Sequence, residues 1–136
     1  MSDTADTSDL LFVYGTLMSH TGTPKARQLM AEADSLGPAT IAGRLYRIDW
    51  YPGLVPGDGL VHGEVFRLRD PAASLVWLDA YEGIVPGDTS HNRDEYERVR
   101  RPVTLAGGRT LEAWVYLYLR DTSAATPVAD GRWPGK

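Results

Sequence analysis

Two short segments carry the groups best suited to chemistry. In a helix that begins at Pro71, Leu75, Leu78 and Glu82 stand at i, i+3 and i+7, so the Glu82 carboxylate shares the stripe that apolar residues turn toward a core. It also falls in the last helical turn, where free carbonyls disfavour negative charge, and partial burial would raise its pKa in the same direction. A carboxyl poised in this way suits general acid and base catalysis. The plain alternative is a solvated glutamate beside a helix-ending Gly83. The second segment is Tyr14, Gly15, Thr16 and Leu17, where an apolar strand gives way to a glycine turn. Successive backbone amides in such a turn can point at an anion such as a carboxylate, or simply end a strand.

The remaining reactive residue types form no further constellation. His20, His62 and His91 lack metal-ligand spacing with one another or with nearby carboxylates, so no metal is expected. Ser19 next to His20 has no third orienting group, and adjacency in sequence is not how catalytic triads are assembled. Gly57, Asp58 and Gly59 are followed by a β-prone run instead of a helix, which removes the dinucleotide-binding reading. With no cysteine, disulfides, thiolate metal sites and thiol nucleophiles are excluded together.

These residues need a frame, and 136 residues with 43% apolar content are enough for one buried core. A net charge of −4 with scattered basic residues gives no nucleic-acid footprint. The one local cluster, Arg98, Arg100 and Arg101, is expected on a solvated strand face. Residues 1–9 read as a flexible acidic tail, and the apolar run at 10–13 is too short for a signal peptide or membrane span, so a cytoplasmic location is expected. The folded domain is expected over residues 10–121. Residues 122–136 form an extension in which Trp133 is the large anchor.

Along the chain, residues 10–14 read as a buried strand and 24–33 as a short amphipathic helix opened by Pro24. Residues 40–48 and 60–68 read as strands separated by turn chemistry at Pro52-Gly53 and at residues 56–59. They form either a long hairpin or two neighbouring strands. Asp70-Pro71 starts a helix that runs to about Glu82 and stops at Gly83. After a polar stretch, residues 96–105 and 110–119 read as a hairpin around the turn at 106–109.

In order, the chain contains Phe12-Val13-Tyr14-Gly15-Thr16-Leu17, Gly43-Arg44-Leu45-Tyr46, Tyr51-Pro52-Gly53-Leu54 and Val61-His62-Gly63-Glu64-Val65-Phe66. Leu78-Asp79-Ala80-Tyr81-Glu82-Gly83, Tyr96 with Arg98, Ala113-Trp114-Val115-Tyr116 and Asp130-Gly131-Arg132-Trp133 follow. Taken together, these pieces resemble the γ-glutamylcyclotransferase-like, or AIG2-like, proteins over nearly the whole domain. The resemblance implies an α+β fold, a small mixed β-barrel with flanking helices. It implies that Tyr14, Gly15, Thr16 and Leu17 grip the amino-acid end of a γ-glutamyl substrate and that Glu82 is the catalytic acid and base. Pro52, Gly53, Tyr46, Tyr96 and Tyr116 join the substrate-binding candidates; for the three tyrosines, core packing is the equal alternative. No cofactor is implied, and the partner is a small γ-glutamyl compound, with no nucleic acid and no membrane. The polar insert at 84–94 departs from the family pattern and bears on the leaving group. Two rival functions are a non-catalytic binding module for an amino-acid-like or carboxylate ligand, and an interaction protein that uses the insert.

Overall fold

A computed structural model describes residues 9–48, 51–81 and 96–133. The first strand, β1 (Leu10–Val13), is buried at every position, as a continuously apolar run requires. It lies between β3 (Pro52–Leu68), antiparallel, and β5 (Thr110–Tyr118), parallel, so the sheet is mixed. The order β3-β1-β5-β4-β2, with β2 (Ala33–Arg47) pairing back onto β3 and β4 being Tyr96–Leu105, closes a five-stranded barrel. A two-residue strand, β6 (Thr126–Pro127), lies on the far end of β2 at Tyr46 and Arg47. Closure leaves no long free edge between these five strands, which removes a template for aggregation.

Two helices flank the barrel. Helix α1 (Pro24–Glu32) starts where expected: Thr23 accepts a hydrogen bond from the Ala26 amide, and Pro24 takes the first helical position. It ends one residue earlier than its apolar spacing suggests, because Ala33 already pairs with Leu68 as the first residue of β2. Helix α2 (Pro71–Tyr81) begins after Asp70, whose carboxylate and carbonyl both accept from Ala73 N–H. Leu78 is fully buried and Leu75 partly so, as the stripe requires. The expected final residue of this helix, Glu82, lies outside the described residues, as do the Gly83 stop, His91, the insert at 84–94 and residues 1–8.

The two helices are joined at one end through Glu32. Its Oε1 accepts from Ser74 Oγ at 2.7 Å and Trp77 Nε1 at 2.8 Å. These hydrogen bonds, Ser74's first, hold the Glu32 carboxyl below its ordinary pKa. On the two faces of the barrel sheet Phe12, Phe66, Leu11, Leu54, Val61, Val65 and Val115 are essentially inaccessible. Each such side chain contributes about 1.5–3 kcal/mol through removal from water.

One expectation needs correction. Residues 56–59 do not separate two strands; β3 runs through them, and they form an outward excursion opposite Gly43. Pairing passes from Ala42↔Leu60 to Arg44↔Val55, so the extra residues are extruded and exposed instead of ending the ladder. β2 and β3 are therefore neighbours in one long irregular hairpin. The turn at residues 106–109 joins β4 and β5 as expected, with the left-handed conformation at Gly108. Trp133 is 7% exposed, with the Arg47 guanidinium 4.5 Å from its ring centre.

Candidate active site

Strand β1 delivers Tyr14 and Gly15 to the end of the barrel, and Met18 N–H donates to Gly15 O at 3.1 Å to close the turn. Tyr14 points inward: its hydroxyl donates to Tyr116 O at 2.6 Å and accepts from Leu54 N–H at 3.3 Å. Gly15 packs on Pro52 so closely that a Cβ would lie 2.7 Å from the proline Cγ. Gly53 is similarly confined, since a Cβ there would lie 2.8 Å from Tyr118 Cγ. Pro52 and the turn thus meet because Gly15 has no Cβ, while the bare Gly53 lets the same strand lie against Tyr118.

The carbonyls of the turn are well occupied. Thr16 O lies 2.8 Å from each of two hydroxyl donors, Thr21 Oγ1 and Thr23 Oγ1, and Gly15 O is taken by Met18. In a planar trans peptide N–H and C=O point opposite ways, so anchoring these two carbonyls directs the Thr16 and Leu17 amides away from the 18–23 segment. The amides of Gly15, Thr16 and Leu17 donate to no acceptor among the described residues. Gly15 and Leu17 are buried. Three adjacent donors, two of them on buried residues and all without a protein acceptor, are unusual, because each such group costs about 1–3 kcal/mol if left unmet. An anion would meet them.

Helix α2 reaches the same turn. Tyr81 OH and Thr16 Oγ1 are 2.7 Å apart, joining the last described helical residue to the turn. Two residues earlier, Asp79 accepts Arg98 Nε at 2.8 Å, Arg98 Nη2 at 3.2 Å and Tyr116 OH at 2.6 Å. A two-pronged guanidinium contact fixes orientation as well as distance. Arg98 in turn lies with its guanidinium 4.4 Å from the centre of the Trp114 ring. The expected solvated arginine face therefore needs correction: the Arg98 side chain is 23% exposed and clamps the helix, whereas Arg101 is exposed.

Among the expected site residues, the structure brings Gly15 onto Pro52, links Tyr14 to Tyr116 and Tyr96 to Pro52, and sets Thr16 against Tyr81, which was not among them. Tyr96 is 4% exposed and donates to Pro52 O at 2.6 Å, which supports the strand behind the turn. Tyr116 is 3% exposed and serves the Asp79 cluster. Tyr46 sits at the far end of β2, opposite Gly53 and Pro127. Glu82 is the next residue in sequence after Tyr81 and lies outside the described residues. Ser19 has an anchoring contact: its N–H and hydroxyl donate to Glu64, which also accepts from Ser35.

Asp79, Thr21 and Thr23 were not picked out by reading the sequence. Asp79 had an available signal, since it stands four residues after Leu75 on the same helical face. The threonines had none, because a hydroxyl that bonds a backbone carbonyl leaves no pattern in sequence.

A closed mixed barrel with two flanking helices defines a small α+β barrel protein. Residues 11–135 match the family described as gamma-glutamyl cyclotransferase, AIG2-like, and the chain belongs to that family. It is 34% identical over 124 residues to the gamma-glutamylcyclotransferase family protein YtfP of Citrobacter rodentium, covering 90% of this chain and 93% of that one. The solution NMR structure of YtfP from Escherichia coli is 33% identical, with a TM-score of 0.65 over 91% of this chain and 95% of that one. The crystal structure of a mouse AIG2-like protein shares the fold, with a TM-score of 0.63 at 22% identity over 85% of this chain and 80% of that one.

Proposed function

We propose that this protein cyclises the γ-glutamyl group of a γ-glutamyl amine or γ-glutamyl amino acid to 5-oxoproline and releases the amine, with Glu82 as general acid and base. The observation that carries this reading is the hydrogen bond between Tyr81 and Thr16, because it ties the segment that leads into Glu82 to the turn with open amides. Family membership supplies the reaction class.

In the reaction, Glu82 takes a proton from the substrate's α-ammonium. The freed amine attacks its own γ-carbonyl carbon, and the carbonyl oxygen gains negative charge in a tetrahedral intermediate. Collapse breaks the bond to the leaving nitrogen, to which the Glu82 carboxyl returns a proton, and the second proton left on the ring nitrogen passes to the freed amine, which departs as an ammonium ion. The amides of Gly15, Thr16 and Leu17 meet either the substrate's α-carboxylate or the developing oxyanion. Both uses depend on donors aimed in advance. No other reactant enters, since nucleophile and electrophile belong to one molecule.

The test is a mass-spectrometric screen of γ-glutamyl amines and dipeptides for 5-oxoproline. The native protein is expected to release it from at least one compound. Glu82→Gln is expected to lower kcat by about 10²–10⁴-fold while the melting temperature stays within a few degrees. A silent panel, or full activity in the variant, would overturn the reading. Saturable binding of a γ-glutamyl compound without turnover would instead identify a binding module that uses the same turn.

A further inference from the structure

A second concave surface lies apart from the turn at 14–17. Its floor is the outer face of three strands. Thr40 on β2 is paired with His62 on β3 and with Thr104 on β4, which sets the three side chains in a row. The alternate residues Ala39, Val61 and Val103 are buried at 3%, 0% and 1%, so the row faces outward. Met18 and His20 wall one side of this cleft of about 520 Å³, and the start of the β4–β5 turn at Leu105 and Ala106 walls another. Arg132 and Trp133 complete the lining.

This end is rigidly built. Gly131 adopts the left-handed conformation at φ 66° and presses on the Leu60 carbonyl, leaving no space for a side chain. His62 N–H donates to Gly131 O at 2.7 Å, and Arg47 lies on Trp133. Trp133 is therefore held by the backbone contact of Gly131 with β3 on one side and by the Arg47 guanidinium on its ring.

The charge pattern is the informative feature. The chain carries a net charge of −4, yet among the described residues that line the cleft there is no Asp or Glu, whereas His20, His62 and Arg132 are there. Arg44, Arg69 and Arg98 are paired with Asp58, Asp34 and Asp79. The side chains of Arg132, His20 and His62 have no hydrogen bond or ion pair among the described residues. Of the nearest carboxylates, Glu64 is occupied by Ser19 and Ser35, and Asp130 caps the Arg132 backbone amide at 3.1 Å.

The geometry points to a second ligand site here, for a small organic anion with a flat apolar body. Its carboxylate or phosphate would lie among Arg132, His62 and His20, its body would lie against Trp133 and Met18, and the Thr40 and Thr104 hydroxyls would serve its polar substituents. Guanidinium suits planar oxyanions, and the indole supplies apolar area with little loss of side-chain freedom. This site stands independently of the cyclisation reading.

The probes are benzoate, phenyl phosphate, inorganic phosphate and neutral benzamide, titrated into the full chain labelled with ¹⁵N. One or both aromatic anions are expected to bind saturably and to shift the amide signals of Thr40, His62, Thr104 and Trp133. Benzoate and phenyl phosphate separate a carboxylate from a phosphate preference. Inorganic phosphate, which lacks the flat body, is expected to bind at least fivefold more weakly, and benzamide is expected not to saturate. Arg132→Gln and His62→Gln should each weaken the anion about tenfold, whereas Glu82→Gln should not change its affinity. The site is refuted if no aromatic anion saturates, if benzamide binds as well, if both cleft variants bind normally, or if the shifts centre on residues 14–17.

Discussion

The protein contains two strand-ending glycine turns that use their backbone groups in opposite ways. At residues 106–109 the turn is exposed and self-sufficient: Gly108 N–H donates to Leu105 O, Leu105 N–H to Arg109 O and Ala106 N–H to Pro38 O. Gly107 and Gly108 have open space around them. At residues 14–17 the Gly15 and Thr16 carbonyls are satisfied from behind by Met18, Thr21 and Thr23, while three amides have no acceptor among the described residues. Gly15 is pressed against Pro52. Turn chemistry alone does not distinguish structure from function, but the occupancy of carbonyls against amides does. It is this pattern, acceptors met and donors open, on which the proposed anion contact at residues 14–17 rests.

Substituting the two glycines gives the largest expected contrast. Gly15→Ala sets a methyl group against the Pro52 ring, where overpacking costs about 1–3 kcal/mol. It is expected to lower the melting temperature and to reduce 5-oxoproline release by at least about tenfold, since small displacements of a positioned site are costly. Gly107→Ala meets nothing and is expected to stay within about 0.5 kcal/mol of the native protein. Equal denaturation midpoints for the two variants would break the comparison.

Next in size are the threonines behind the turn. Thr21→Ala removes one of the two hydroxyls from Thr16 O at a net cost of about 1 kcal/mol, and leaves the peptide that aims the Leu17 amide held by Thr23 alone. In the proposed reaction kcat should fall several-fold, and Thr21→Ser should restore it because the hydroxyl is retained. Thr23→Ala also removes the cap of α1, so a loss of about 1 kcal/mol in stability accompanies its kinetic effect. If the Ser and Ala variants at position 21 are equally impaired in steady-state kinetics, the carbonyl anchor is not what orients the turn.

The smallest effect comes from Glu32, which touches neither turn and sets a baseline for general loosening. Its pKa is depressed in the folded protein, so its stabilisation is fully present above the unfolded value of about 4.3 and is lost as pH falls through the lower folded value. Glu32→Gln should therefore flatten the acid limb of a plot of unfolding free energy against pH, while leaving the ratio of turnover between the Gly15 and Gly107 variants unchanged. A steep acid limb in Glu32→Gln would assign the loss to other carboxylates.

Much of this architecture is legible in local patterns. The buried run at 10–13, the Pro24 and Asp70-Pro71 helix starts and the hairpin around 106–109 follow from short-range rules of burial, capping and turn geometry, and each lies within a residue or so of its expected place. The fate of residues 56–59 was not legible. The same proline and glycine signals describe a strand-ending turn and an extruded bulge, and only pairing of β2 on both sides of the excursion selects the bulge. Arg98 was misread for a similar reason: its neighbours in sequence are charged, but Asp79 and Trp114 reach it from other elements.

By itself the sequence determined the type of most elements, the family and the residues at which chemistry is expected, because apolar period, caps and motif order are written in adjacent positions. The tertiary structure alone decided which amides remain open, which carboxylate holds which arginine and where a second cleft forms with no acidic side chain among its described lining residues. Those properties depend on contacts between residues tens of positions apart, such as Tyr81 with Thr16 and His62 with Gly131. Barrel closure creates them, and no local rule encodes them.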